Sequence, residues 1–252
     1  MNNVKPLAGE AYRVAEDQSR KALRGLVDSD AEHDLLERLI ESTKPAKPPG
    51  EAFENLDFLL WTPFRYRPLL TSGTRFGTYR DPAVWYGAEH VETALAEKAY
   101  YLLRVREESD ATFAPEHQVL SSFHIPLHSP RGVDLHDPAF KAHREDLLSA
   151  TSHGAAQAFG QAARGCDVQL IRFPSVRDPK HRPNFAAFSP SVFAASTPLP
   201  SSRWQWRVLI QSDRVIYERK NAIQFTPHTA AEPTLTFNRS DFLVEGKFPI
   251  VS

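Results

Sequence analysis

Between Trp61 and Tyr101 the chain supplies a guanidinium, a phenol and a carboxylate at regular intervals. Arg75, Tyr86 and Glu97 stand eleven positions apart in turn, preceded by Arg65, Tyr66 and Arg67. A guanidinium fork suits phosphate and carboxylate groups. Delivered in turn by a loop, a strand and a helix, the three groups look like parts of a pocket. Gly73 and Gly77 flank Arg75 and permit close backbone approach there. A second set follows in Pro174-Ser175-Val176-Arg177-Asp178-Pro179, with Asn184 and Phe185-Ala186-Ala187-Phe188 after it. A Ser and an Arg at the exit of an apolar strand are well placed for a site, because loops at strand ends carry function.

Pattern alone leaves a plainer account of each residue open. The helix expected over Glu89–Leu103 has the apolar stripe Val91, Leu95, Ala99 and Leu102. Glu97 projects off that stripe toward Ala94 and Tyr101, where a carboxylate is commonly solvated. Tyr86, on a short aromatic strand over Ala83–Tyr86, also fits a core position. The loop at 174–179 fits a turn rich in Ser, Asp and Pro. Ser175 has no base near it in sequence, which speaks against a nucleophile.

The elements that would position these groups are legible in outline. Residues 11–26 form a short mixed segment (Tyr12, Val14, Ala22, Leu23, Leu26). Ser29 and Glu32 have capping-box spacing, and Leu35, Leu36, Leu39 and Ile40 then make one apolar stripe of a supporting helix. Lys44–Gly50, rich in proline, reads as an extended connector. The segment around Arg65, Arg67 and Arg75 reads as a basic turn. Gln118–Leu127 reads as a strand stopped by Pro130 and Gly132, and 134–140 as loop. A helix is expected over 144–164 with Gly165 at its C-terminal cap, although Gly154 inside it costs about 1 kcal/mol against Ala. Val168–Phe173 reads as a strand. Trp204–Ile210 and Arg214–Glu218 read as a hairpin around Gln211-Ser212-Asp213.

The 252 residues suffice for one large domain or two small ones. With 41% apolar and 24% charged residues the composition is that of a globular protein, not a disordered one. A net charge of −1 gives no global basic excess for nucleic acid. One cysteine, Cys166, excludes an intrachain disulfide framework and cannot build a zinc site. The ten histidines lack metal-ligand spacing, and there is no phosphate-binding glycine loop and no nucleophile elbow. With no signal-like or spanning segment, the expectation is a cytoplasmic protein.

Taken in order, Arg75-Phe76-Gly77, Trp85-Tyr86-Gly87-Ala88, Thr93–Glu97, Pro174–Arg177, Asn184 and Ala186–Phe188 resemble the RES domain family, over roughly residues 58–195. The family's Arg, Glu and Ser correspond to Arg75, Glu97 and Ser175. The resemblance implies an α+β fold similar to ADP-ribosyltransferase toxins: a mixed α/β domain on a small split sheet, with residues 1–50 as a helical extension and 51–252 as the RES domain. It implies the toxin of a type II toxin–antitoxin module with an Xre-like antitoxin as partner, and a homodimer. The implied activity is cleavage of the nicotinamide–ribose bond of NAD, with phosphate or water as acceptor and no permanently bound cofactor. In that reading Glu97 serves the ribose and its developing charge, Tyr86 stacks on nicotinamide, and Arg75 binds pyrophosphate or phosphate. Ser175 orients ribose or Glu97, while Arg65, Tyr66 and Asn184 add binding contacts. ADP-ribosyl transfer to a macromolecule and a non-catalytic binding protein are the alternatives.

Overall fold

The computed structural model describes residues 3–16, 27–66, 72–109, 111, 113–199, 203–220 and 234–251. Ala22, Leu23, Leu26 and Arg67 lie outside the described residues. A mixed eight-stranded sheet forms the frame, in the order β1-β2-β5-β4-β3-β6-β7-β8, with β1 also paired to β3.

The first element corrects the reading of residues 1–50 as helical. Lys5–Glu16 is strand β1, paired antiparallel along its length with β3 (Glu116–Asp134). Its local sequence has little period-2 alternation because both faces meet protein: Ala11 is fully buried on one side, and Tyr12 stacks on His124 on the other. Helix α1 (Asp30–Thr43) begins as the sequence predicts, with Ser29 Oγ accepting from Glu32 N at 3.2 Å. Its stripe does not pack as expected. Leu35 and Leu39 are about half exposed, and only His33 is buried among its described residues.

Strand β3 runs 19 residues, straight through Pro130 and Gly132. A proline lacks the N–H that a ladder needs, yet Pro130 is tolerated because the β1–β3 register shifts between Lys5 and Leu7, opposite that point. The strand serves three partners in succession: β6 through 116–122, β1 through 120–132, and β4 in parallel through 132–134.

Strand β4 (Leu170–Pro174) pairs with β5 (Pro183–Ala187), and β5 with β2 (Trp85–Ala88). Strand β2 meets β1 at one residue pair, Tyr12 with Ala88. The sheet therefore closes on itself through β1, β3, β4, β5 and β2, and parts at the narrow β1–β2 seam. The predicted hairpin is present as β6 (Trp204–Ile210) and β7 (Arg214–Lys220), and β8 (Thr234–Asn238) extends it.

Helix α4 (Val91–Glu107) lies over the seam. Its small residues Ala94, Ala96 and Ala99 are buried and let it approach closely, while Leu95, Tyr100 and Leu103 join the core of β6–β8. The single helix expected over 144–164 is two: α5 (Arg144–Leu147) and α6 (Gly154–Gly165). Gly154 opens the second helix instead of interrupting one. The small polar run Ser149–Ser152 separates them, with Ser149 Oγ accepting from Thr151 N and Ser152 N. The loop expected over 134–140 holds the start of a 3-10 helix, Pro138–His143. The remaining α-helices among the described residues are the short α2 (Glu51–Glu54) and α3 (Phe58–Arg65). Among the described residues no helix is long and apolar enough to cross a membrane.

Candidate active site

A cavity of about 330 Å³ opens at the β1–β2 seam beneath α4. Its walls come from Tyr12–Val14 of β1, Tyr86–Ala88 of β2, and Glu97, Lys98, Tyr101 and Arg104 of α4, together with Arg75, His153, Arg177 and Asn184.

Glu97 is the one carboxylate in this lining. Its Oε1 accepts from Ser175 Oγ at 2.7 Å and from Asn184 Nδ2 at 2.6 Å. Among the described residues no hydrogen bond is made to Oε2. The off-stripe face of α4 is thus not simply solvated: the loop after β4 covers it at Thr93 and Glu97, while Tyr101 further along is half exposed. Thr93, one turn before Glu97 and fully buried, donates to Asp178 Oδ2 at 2.7 Å. Asp178 also takes Arg182 Nε at 2.6 Å and Lys180 N at 3.0 Å. Those bonds hold its carboxyl below the usual range despite opposing burial. Ser175 itself is fully buried behind Glu97 and does not line the cavity.

Arg75 sits in a tight turn. Gly73 has φ +66, a left-handed conformation that favours glycine, and Thr74 N donates to Gly77 O at 2.7 Å. The turn is gripped from α6, where Gln157 Nε2 reaches Ser72 O and Thr74 O and Arg164 reaches Phe76 O. Tyr86 grips it from the other side, its hydroxyl accepting from Phe76 N at 3.1 Å and donating to Thr74 Oγ1 at 3.0 Å. Burial raises the pKa of that phenol, so it stays a donor. The ring forms cavity wall while the hydroxyl fixes the Arg75 turn.

A continuous-helix reading misses the break between α5 and α6, which holds two of the cavity's arginines. Its carbonyls, with that of Leu147 at the end of α5, anchor two buried arginines: Arg75 Nη1 bonds Leu147 O and Ser149 O at 3.1 and 3.0 Å, and Arg177 Nη2 bonds Ala150 O at 2.8 Å. Arg177 also lies 3.7 Å above the Tyr100 ring, a cation–π contact. Burial lowers the pKa of Arg75, with Glu97 opposing the shift and Arg177 adding to it. His153, at the start of α6, is 8% exposed with Nδ1 unbonded. Burial first, then Arg75, Arg177 and Arg104, push its pKa down to about 3, so it is a neutral imidazole at neutral pH. The signal for this break was present in Ser149-Ala150-Thr151-Ser152-His153-Gly154, a loop and capping composition.

Not every expected residue arrives. Arg65 ends α3 instead of occupying a turn. Its guanidinium bonds Glu41 Oε1 at 2.6 Å and Pro45 O, and lies over Trp61. Neither Arg65 nor Tyr66 lines the cavity; an arginine close in sequence to the site was captured by the carboxylate of α1. Sequence reasoning missed Arg13, His153 and Lys98: Arg13 and His153 come from elements whose place in the sheet or whose boundary was not read, and Lys98 lies beside Glu97 on a helix that was read, where no local signal sets it apart from a solvated lysine. The C-terminal segment also contributes: Tyr100 donates to Pro249 O, stacks on Phe248, and Val251 lines the cavity.

Fold and site together define a mixed α/β protein with a cation-lined cavity built around a single carboxylate. The RES domain family model matches residues 49–207, and the chain belongs to that family. Among solved structures, the chain is similar to one in the crystal structure of the M. tuberculosis MbcT–MbcA toxin–antitoxin complex. The identity is 11%, the match covers 78% of this chain and 86% of that one, and the TM-score is 0.46. No curated protein matches the sequence.

Proposed function

We propose that this protein is the toxin of a toxin–antitoxin pair and cleaves NAD at its nicotinamide–ribose bond. The observation that carries the reading is Glu97: one oxygen is fixed by Ser175 and Asn184, and the other makes no hydrogen bond among the described residues, in a cavity lined by buried arginines. The dinucleotide's pyrophosphate would lie on Arg75 and Arg177, whose forks suit phosphate oxygens. Glu97 Oε2 would take a ribose hydroxyl and offset the positive charge that grows on the ribose as the bond to nicotinamide lengthens. The Tyr86 ring would stack on the nicotinamide. The C1′–N bond breaks with its electron pair going to the pyridinium, which leaves as neutral nicotinamide. An acceptor oxygen then bonds C1′ and loses its proton. Inorganic phosphate or water fits that role, and a macromolecular acceptor would make the same chemistry an ADP-ribosyl transfer. Family membership supports the toxin role, an Xre-like antitoxin as partner, a homodimer and a cytoplasmic site of action.

The test is NAD consumption by purified, antitoxin-free protein, with and without phosphate, the products resolved by mass. Phosphorylated ADP-ribose appearing only with phosphate identifies a phosphorylase, and free ADP-ribose in both buffers a glycohydrolase. Intact NAD in the presence of folded protein overturns the reading.

A further inference from the structure

Strand β2 has a full ladder on one side only. All four of its residues pair with β5, whereas its other side meets β1 at the single pair Tyr12 with Ala88. A backbone carbonyl left unpaired inside a protein is unfavourable. That of Tyr86 is met by a side chain from across the seam. Arg13 Nη1 donates to Tyr86 O, and the guanidinium lies 5.6 Å from the centre of the Trp85 ring. Arg13 thus supplies a bond that the β1–β2 ladder lacks. It is itself placed by β3, where it stands opposite Phe123 in a pairing that runs from Lys5 to Glu16. Burial lowers its pKa to about 10, so it keeps its charge at neutral pH.

From Tyr86 the bonds continue to Arg75. The Tyr86 hydroxyl donates to Thr74 Oγ1 at 3.0 Å and accepts from Phe76 N at 3.1 Å, one residue to either side of Arg75. The chain of contacts therefore runs from β1 through the Tyr86 main chain and ring to the turn that carries the guanidinium. Glu97 stands apart from it, held by Ser175 and Asn184. Strand β1 lies outside residues 49–207, the segment that the family match covers, yet Tyr12, Arg13 and Val14 all line the cavity.

We infer that Arg13 is a positioning residue of this cavity: from strand β1 it fixes the main chain of Tyr86 and, through the Tyr86 hydroxyl, the turn that carries Arg75. The N-terminal strand is then a working part of the site, supplied from beyond the matched domain. The inference deepens the NAD reading and rests on it for the identity of the ligand. Its signature follows from where the contacts end. Tyr86 and Arg75 are assigned to binding, and Glu97 to the charge that develops during bond breaking. Losing Arg13 should therefore raise KM and leave kcat, as removal of binding common to ground and transition states does.

The test compares the full chain with Arg13→Met, Tyr86→Phe and the double variant, each checked for folding by thermal melting. Arg13→Lys replaces Arg13→Met throughout should the latter fail to fold, because one ammonium cannot hold carbonyl and ring together as a planar guanidinium does. In Arg13→Met, KM and the calorimetric Kd for NAD should rise about tenfold, the scale of one lost hydrogen bond to a charged group. The value of kcat should stay within about twofold. Groups that act through one another do not add, so Arg13→Met should cost at most about twofold more in the Tyr86→Phe background. Fully additive losses overturn the inference, since Arg13 would then act independently of Tyr86. A fall in kcat as large as that of Glu97→Gln overturns it too. Hydrogen–deuterium exchange over Thr74–Gly77 needs no ligand and should be faster in both single variants. Unchanged exchange in folded Arg13→Met overturns the positioning role. Faster exchange in a protein that leaves NAD intact would sink the proposed reaction and leave that role standing.

Discussion

Ser175 donates its only hydroxyl proton to Glu97 Oε1 at 2.7 Å while its oxygen accepts from Arg177 N and Asp178 N, at 3.2 and 2.9 Å. Two backbone donors fill the oxygen's lone pairs, so the hydroxyl can serve only as a donor toward Glu97. That arrangement makes Ser175 a positioning residue. Glu97→Gln should lower kcat for NAD cleavage about 10²–10³-fold, the usual effect of losing a preorganised charge-stabilising group. Ser175→Ala should cost less in kcat, because Asn184 still holds Oε1. Steady-state kinetics on both variants would show it, and near-full activity in Glu97→Gln would remove the central assignment.

The buried Thr93–Asp178 bond clamps the Ser175 turn onto α4, one turn from Glu97. Asp178 is 1% exposed and carries Arg182 on its two oxygens. Asp178→Ala leaves that arginine and Thr93 without their partner. The expected loss is about 3 kcal/mol of stability, the low end for breaking a buried charged pair, since Arg182 can reach solvent and Glu92. Denaturant unfolding of Asp178→Ala would measure the loss, and a change below about 0.5 kcal/mol, the scale of an ordinary surface substitution, would contradict it.

Gly160 of α6 packs on the Arg75 turn. A Cβ there would stand 2.3 Å from Phe76 O and 2.9 Å from Phe76 C, backbone atoms that cannot swing away. Gly160→Ala should therefore destabilise the fold by about 1–3 kcal/mol through overpacking, although alanine is the better helix former. It should also displace the Arg75 turn and weaken NAD binding. Unfolding curves and NAD titration test the two consequences separately.

His153 links stability to pH. Its native pKa of about 3 lies below the unfolded value near 6.5. Between those values the unfolded chain binds a proton that the native state refuses. Stability from this residue is complete above pH 6.5 and falls as the pH drops toward 3, by up to about 1.4 kcal/mol per pH unit. His153→Asn should flatten that acid limb. Unfolding free energies of both proteins at pH 7, 6 and 5 provide the comparison, and parallel profiles would contradict a buried neutral imidazole.

Much of this was written locally. The β6–β7 hairpin follows from two alternating runs around Gln211-Ser212-Asp213, and the start of α1 from Ser29 and Glu32. Helix α4 follows from its apolar spacing, and the site candidates Arg75, Tyr86, Glu97 and Ser175 stood out by type, spacing and order. The cap, hairpin and helix signals are carried by neighbouring residues, the range over which caps, turns and periodicity act; the site candidates, eleven to 78 positions apart, were singled out by the order of motifs that resembles the RES family. The tertiary structure alone decided that β1 enters the sheet, that Arg65 pairs with Glu41 away from the cavity, and that the off-stripe face of α4 is covered at Thr93 and Glu97. It also brought Ser175 to Glu97 across 78 positions of chain. No local pattern encodes such a contact, because whether a polar face is solvated or enclosed depends on which distant segment comes to cover it.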